Sequence, residues 1–185
     1  MPRRHFIAGL ALPGLVGLAL TGTAMPAQAA QTTITMHAIS ADGIGGDLGT
    51  ITARDTPQGL LLVPDLDRLA PPGPHGFHVH AKGSCGPGPG DDGKPAAGMA
   101  AGGHYDPRHT GRHLGPLDAG GHLGDLPPLV VEGNGRATLP VLAPHLKVKD
   151  LAGHALMIHA GGDNFSDQPV KLGGGGARIA CGVAK

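Results

Sequence analysis

Glycine and proline interrupt this chain so often, 34 and 18 times in 185 residues, that it offers short apolar runs and no amphipathic helix beyond its leader. Between the interruptions the hydrophobic pattern alternates with period two, the pattern of half-buried strands. Thr33 to Ile39 puts Ile34, Met36 and Ala38 on one face, and Leu48 to Arg54 and Gly59 to Val63 follow. After the turn cluster Pro71-Pro72-Gly73-Pro74, Gly76 to His80 alternates again. Leu129 to Glu132 and Arg136 to Val141 flank a hairpin signal, Gly133-Asn134-Gly135. Ala155 to Ala160 and Ala177 to Val183 complete eight short strands. Strands separated by turn residues predict an all-β, antiparallel sandwich or barrel.

So much glycine and proline also fits disorder. Charged residues are only 15% and the formal net charge is +0, so self-repulsion does not hold the chain open. The single glutamate, Glu132, excludes a Glu–Glu glycosidase pair and an H-E-x-x-H metalloprotease helix. Ser40, Ser84 and Ser166 include no G-x-S-x-G elbow. With no Trp, one Tyr and three Phe there is no aromatic platform for bases, and nucleic acid is not expected as a partner. The G-x-G-x-x-G at Gly88 to Gly93 is a turn-rich loop: Pro89 deletes an N–H a phosphate would need, and Pro95 stands where a P-loop has Ser or Thr.

Residues 1–29 read as an export signal. Met1 to His5 is basic, Phe6 to Leu20 is apolar and uncharged, and Ala27-Gln28-Ala29 is a small-x-small cleavage pattern. An apolar run interrupted by Pro13 falls short of the ~20 residues a bilayer span needs. Arg3-Arg4 followed by His5-Phe6-Ile7 also fits a twin-arginine signal. Residues 30–185 then form one domain, periplasmic or secreted, with 12 Lys+Arg against 14 Asp+Glu once Arg3 and Arg4 are gone. Two cysteines, Cys85 and Cys181, in an oxidising compartment read as one disulfide, closing a loop worth roughly 4–5 kcal/mol in the chain-entropy model. The alternative, two thiolate metal ligands, lacks a C-x-x-C pair.

Two connections, Ala81 to Pro128 and Gly161 to Gly176, are too long for hairpin turns, and a long loop without structure needs a function or a tether. The first holds Cys85, His104, His109, His113, His122 and Asp125. On the strand before it, His78 and His80 point to one face. His159 lies on a far strand. Imidazoles suit copper and zinc, and a carboxylate among them suits zinc better. Seven such ligands exceed the needs of one tetrahedral ion, so two ions are implied; a shared imidazole would give each ion four.

The stretches His75 to Cys85, Ala101-Gly102-Gly103-His104, Gly121 to Leu126, Leu156 to Asn164 and Gly173 to Gly182 together resemble the copper,zinc superoxide dismutases of the exported bacterial type. The resemblance implies an eight-stranded antiparallel Greek-key β-barrel or sandwich with two long functional loops. It implies copper on His78, His80, His104 and His159, and zinc on His104, His113, His122 and Asp125. It makes Asp163 the carboxylate linking ligands of the two metals, Cys85–Cys181 the disulfide, and Arg178 the arginine beside the open copper position. The implied activity is conversion of two superoxide anions to O2 and H2O2 by Cu(II)/Cu(I) cycling with a structural zinc. His104 and Arg178 would act in it, the first moving a proton and the second holding the anion. Relatives occur as monomers and as homodimers.

Lys82, Lys94 and Lys171 are candidates for steering superoxide, beside the plainer reading as solvated lysines. His37 and His145 read as surface residues, His75 and His154 as hydrogen-bonded structural ones, and His109 as an adventitious ligand at most. A copper-buffering protein on the same sandwich is the competing reading, and the retention of all seven ligands, Asp163 and Arg178 favours the enzyme. A cupin, which also begins with H-x-H, needs a glutamate a few residues on; Glu132 is too far.

Overall fold

A computed structural model describes residue 1 and residues 29–184; the export signal expected at 1–29 falls, but for its two end residues, outside the described residues. The strands are β1 (Gln31–Ser40), β2 (Gly43–Thr56), β3 (Gly59–Leu66), β4 (Gly73–His75), β5 (Phe77–His80), β6 (Gly88–Pro89), β7 (Pro95–Ala96), β8 (Leu129–Val131), β9 (Val141–Ala143), β10 (Ala155–His159) and β11 (Arg178–Val183). Every pairing among them is antiparallel. Seven form one sheet in the order β5-β10-β11-β1-β2-β3-β9, while β4–β8 and β6–β7 are separate ladders. The meander β1–β2–β3 with β11 returning beside β1 has the spatial order of a Greek key.

The predicted alternation holds where it was strongest. Ile34 and Met36 are buried while Thr33 and Thr35 are exposed. Register shifts between Met36 and Ile39 then turn Ile39 inward, so the face changes within one strand. Phe77 and Val79 of β5 enter the main core with Ile34, Ile51, Leu62 and Leu156. His78 and His80 point the other way and are buried as well.

The strand inventory departs from the eight predicted. Pro71 to Pro74, read as a turn, runs into β4, whose Gly73 and His75 pair with Val131 and Leu129 at an edge that tolerates Pro74. The run Arg136 to Val141 contributes a bridge from Ala137 to Leu66 and then only Val141, where pairing resumes as β9 beyond Pro140, which has no N–H to give. β2 begins at Gly43 and absorbs the Gly45-Gly46 break. The long first loop is not structureless: it holds the β6–β7 hairpin over the G-x-G-x-x-G segment and a single 3-10 turn, Met99–Ala101.

Cys85 and Cys181 form a disulfide across a sequence separation of 96, fastening that loop to β11. Replacing both by alanine is expected to cost about 4–5 kcal/mol, the loop-closure entropy, read as a drop in the urea midpoint of the metal-loaded protein. An unchanged midpoint would mean that packing alone holds the loop.

Candidate metal centre

The centre is assembled on β5, which is paired on both edges. On one side Met157 and Ala155 of β10 stand opposite His78 and His80. On the other the long loop runs alongside, with backbone bridges His78–Asp125 and His80–His104. Val79 N donates to Gly124 O at 2.9 Å, Tyr105 N to Val79 O at 2.8 Å and Ala81 N to Gly103 O at 2.9 Å. These bonds replace the missing strand and bring His104 and Asp125 to the imidazole face of β5. His159 ends β10, where a bulge sets it opposite Arg178 on β11.

The seven predicted ligands come together in two sets. His78, His80, His104 and His159 form one, and His104, His113, His122 and Asp125 the other; within each set the candidate ligand atoms lie within 4.8 Å of one another. His104 belongs to both, and its ring stacks on that of His78 at 3.9 Å between centroids.

The outward nitrogen of most rings is engaged by the chain, which fixes the tautomer and aims the other nitrogen inward. His80 Nδ1 donates to Gly102 O at 2.9 Å and His159 Nδ1 to Gly176 O at 3.2 Å. His78 Nε2 meets Asp163 Oδ2 at 2.7 Å, and His113 Nε2 meets Asp163 Oδ1 at 2.7 Å, so one carboxylate ties the two sets together. Asp125 Oδ1 lies 2.9 Å from His104 Nδ1, 3.0 Å from His113 Nδ1 and 3.4 Å from His122 Nδ1.

What remains are buried nitrogens without a well-formed hydrogen bond: His78 Nδ1 and His104 Nε2, and His113 Nδ1 and His122 Nδ1, which face only the Asp125 carboxylate. Four such atoms in one place would be costly unless cations occupy their lone pairs. The electrostatics agree. Burial pushes His78 and His159 down to about 4, and burial together with His78 pushes His104 down to about 3, so these rings are neutral donors at pH 7. His80 is lowered by burial and by His104 and Arg178. His113 goes the other way: burial pulls it down, but Asp125 and Asp163 outweigh that and raise it to about 9. Burial raises Asp125 and Asp163, yet their imidazole hydrogen bonds win and hold both below the usual carboxylate range. The donor set of imidazoles plus one carboxylate therefore fits borderline divalent cations such as copper and zinc.

Several contributors were given no role by the sequence. Gly173, at φ 75, sits so close that a Cβ would collide with Asp163 Oδ1 and His113 Nε2. Asp167 accepts from His113 N at 2.9 Å and Leu172 N at 3.1 Å, pinning the second loop to the first. Gly98 and Gly102 lend carbonyls to Arg178. The plainer histidines fall mostly as read: His75 meets His159 O and Pro71 O, His154 meets His80 O, and His109 and His145 are exposed. His37 is half-buried rather than on the surface, and His109 joins neither ligand set. Lys82, Lys94 and Lys171 are all exposed.

Residues 47–184 match the family model described as copper/zinc superoxide dismutase. The copper-zinc superoxide dismutase 1 of Salmonella typhimurium strain LT2 is 57% identical over 152 residues, spanning 82% of this chain and 85% of its own. The Cu/Zn superoxide dismutase of Brucella abortus superposes with a TM-score of 0.80 at 47% identity, over 84% of this chain and 100% of its own. The solution structure of the monomeric enzyme from Salmonella enterica gives 0.74 at 54% identity, with the same 84% and 100% coverage. A match running from β2 through β11, and so across the loop that carries the shared imidazole, leaves one conclusion: the chain belongs to the copper/zinc superoxide dismutase family.

Proposed function

We propose that this protein is a superoxide dismutase, converting two superoxide anions and two protons to O2 and H2O2. The observation that carries the reading is the pair of ligand sets sharing His104, into which four buried ring nitrogens point without a well-formed hydrogen bond. His78, His80, His104 and His159 hold copper, and His104, His113, His122 and Asp125 hold zinc. Bound copper supplies the Cu(II)/Cu(I) couple, and bound zinc supplies fixed positive charge without redox chemistry.

The chain's own groups do the rest. His104 Nε2 takes up and gives back a proton needed for peroxide formation. This imidazole is pushed so far down that it does not keep a proton at neutral pH. Asp163 holds His78 and His113 in one tautomer each, which keeps the two sets at fixed separation. Arg178 keeps a permanent charge even though burial lowers it, and holds the small anion at the copper side. Its Nη1 and Nη2 donate to Gly98 O and Gly102 O, leaving other N–H groups of the fork for superoxide.

Residues 1–29 act as the export signal, and the mature domain works outside the cytoplasm, where its disulfide is stable. It is a monomer or a homodimer, and the monomeric relative from Salmonella enterica supports the first. Sedimentation of the mature protein separates them.

The test is superoxide decay followed by pulse radiolysis with the copper- and zinc-loaded protein. Fast catalytic decay is expected, falling about tenfold or more in Arg178→Ala through loss of a charge-assisted anion contact. Decay no faster than buffer, with both metals bound, would sink the enzyme reading.

A further inference from the structure

The second loop, Gly161 to Gly176, has one aromatic residue, Phe165, and it stands in an uncommon place. Its backbone is in the left-handed region (φ 57), which a bulky residue occupies only where its surroundings hold it there. Two contacts do so. Phe165 N donates to Asp163 Oδ1 at 2.7 Å, the same oxygen that meets His113 Nε2. The ring lies on the bare Cα of Gly115 in the first loop, where a Cβ would come within 2.7 Å of Cγ and 2.8 Å of Cδ1.

Gly115 is itself tied to the other carboxylate of the centre. Its N–H and that of Leu114 each lie 3.3 Å from Asp125 Oδ2. The same short segment begins with His113, whose N–H donates to Asp167 Oδ2 at 2.9 Å. The second loop therefore holds residues 113–115 at both ends, by hydrogen bonds at His113 and by an apolar contact at Gly115. Core packing does not account for the ring. Phe165 is 38% exposed and borders a surface cleft with Leu114, Pro116 and Leu117. A side chain so placed adds little to the core, and what it joins is one loop to the other.

We propose that Phe165 is a positioning residue for the metal centre. Its N–H orients Asp163 and its ring holds Gly115, which supports Asp125, so one residue keeps the two carboxylates in register across two loops. The proposal rests on the reading of His104, His113, His122 and Asp125 as the zinc set. Groups that fix the orientation of metal ligands set the affinity of the site, and losing one costs about 10–100-fold.

The experiment is release of zinc from the copper- and zinc-loaded protein into excess chelator at neutral pH, well below the melting temperature. Cobalt(II) bound in place of zinc is followed in parallel by its visible bands, which report ligand geometry. Phe165→Ala is expected to release zinc about tenfold faster and to alter the cobalt bands, while copper stays. Phe165→Asn should do the same; asparagine tolerates positive φ, so this variant keeps the test readable should Phe165→Ala not fold. Phe165→Tyr keeps the ring and should stay within about twofold of the original rate. Asp125→Ala, run alongside, should lose its zinc. If it keeps zinc, the reading of the zinc set fails. If it loses zinc, while the Phe165 variants melt earlier but release zinc at the original rate with unchanged cobalt bands, Phe165 is merely structural and the proposal is overturned.

Discussion

Asp125→Ala is expected to strip the protein of zinc while copper stays. One oxygen of this carboxylate faces three imidazoles, His104, His113 and His122, at 2.9, 3.0 and 3.4 Å. The other lies 3.3 Å from the backbone N–H groups of Leu114 and Gly115, so the side chain also shapes the loop that carries His113. Removing it takes the only charged ligand from a buried set and leaves three imidazoles to hold a divalent cation. Loss of a supporting partner alone costs zinc sites about 10–100-fold, and loss of a direct ligand costs more. Zinc should fall from about one per chain to near zero after dialysis against a competing chelator, measured by elemental analysis. The lost binding energy adds to about 3–5 kcal/mol for breaking a buried charged pair. Together these should lower the melting temperature of the loaded protein by about 10–20 °C for a domain of this size. Asp125→Asn, which keeps the shape and removes the charge, should show the same zinc loss with less unfolding. Full zinc retention in both variants would mean that Asp125 is not a ligand.

The candidate ligands were legible as histidines and one aspartate gathered on an alternating strand and a long loop, and the resemblance sorted them into two sets. His78 and His80 announce themselves as i and i+2 on an alternating strand, and their burial on the non-core face comes from the loop histidines, Asp125 and His159 gathered over it. The disulfide was legible from a count of two cysteines. The ladder on which the site hangs was not. The bonds from Val79, Ala81 and Tyr105 to the long loop are made by backbone groups, which every residue carries, so no pattern marks them. The same is true of the carbonyls of Gly98 and Gly102, whose roles depend on where β11 brings Arg178. Proline hid β4 and shortened the strand expected from Arg136 to Val141, because local turn preference and missing N–H groups compete with partners far along the chain. Nothing in the sequence singles out Asp167; only the fold brings it to the backbone of His113.

The metal-free protein is expected to lose most of its stability between pH 6.5 and about 3, and the loaded protein to resist that loss. His78, His104 and His159 are held at about 4, 3 and 4 against an ordinary 6.5, and His80 is lowered too, in each case chiefly by burial. As pH falls below 6.5 the unfolded chain protonates these rings first and is favoured; stability drops until the folded rings protonate as well. Each tenfold loss of proton affinity on folding is worth about 1.4 kcal/mol, so four neighbouring rings place on the order of 5 kcal/mol or more in that window. Asp125 and Asp163, held low, extend the loss below 3.8. His113, raised to about 9, contributes in the opposite sense: its stabilisation is full below 6.5 and disappears as pH rises through 9. The stripped protein should therefore be most stable near neutrality and melt at least about 10 °C lower by pH 4.5. Bound metal requires the same rings deprotonated, so protons must compete with it before they can unfold the chain, and the acid limb should shift to lower pH. Thermal melts of chelator-stripped and loaded protein from pH 8 to pH 4 decide the matter. A stripped protein whose melting temperature stays flat across that range would mean that its imidazoles are solvated and protonate without cost, and that the centre takes its buried form only around the metals.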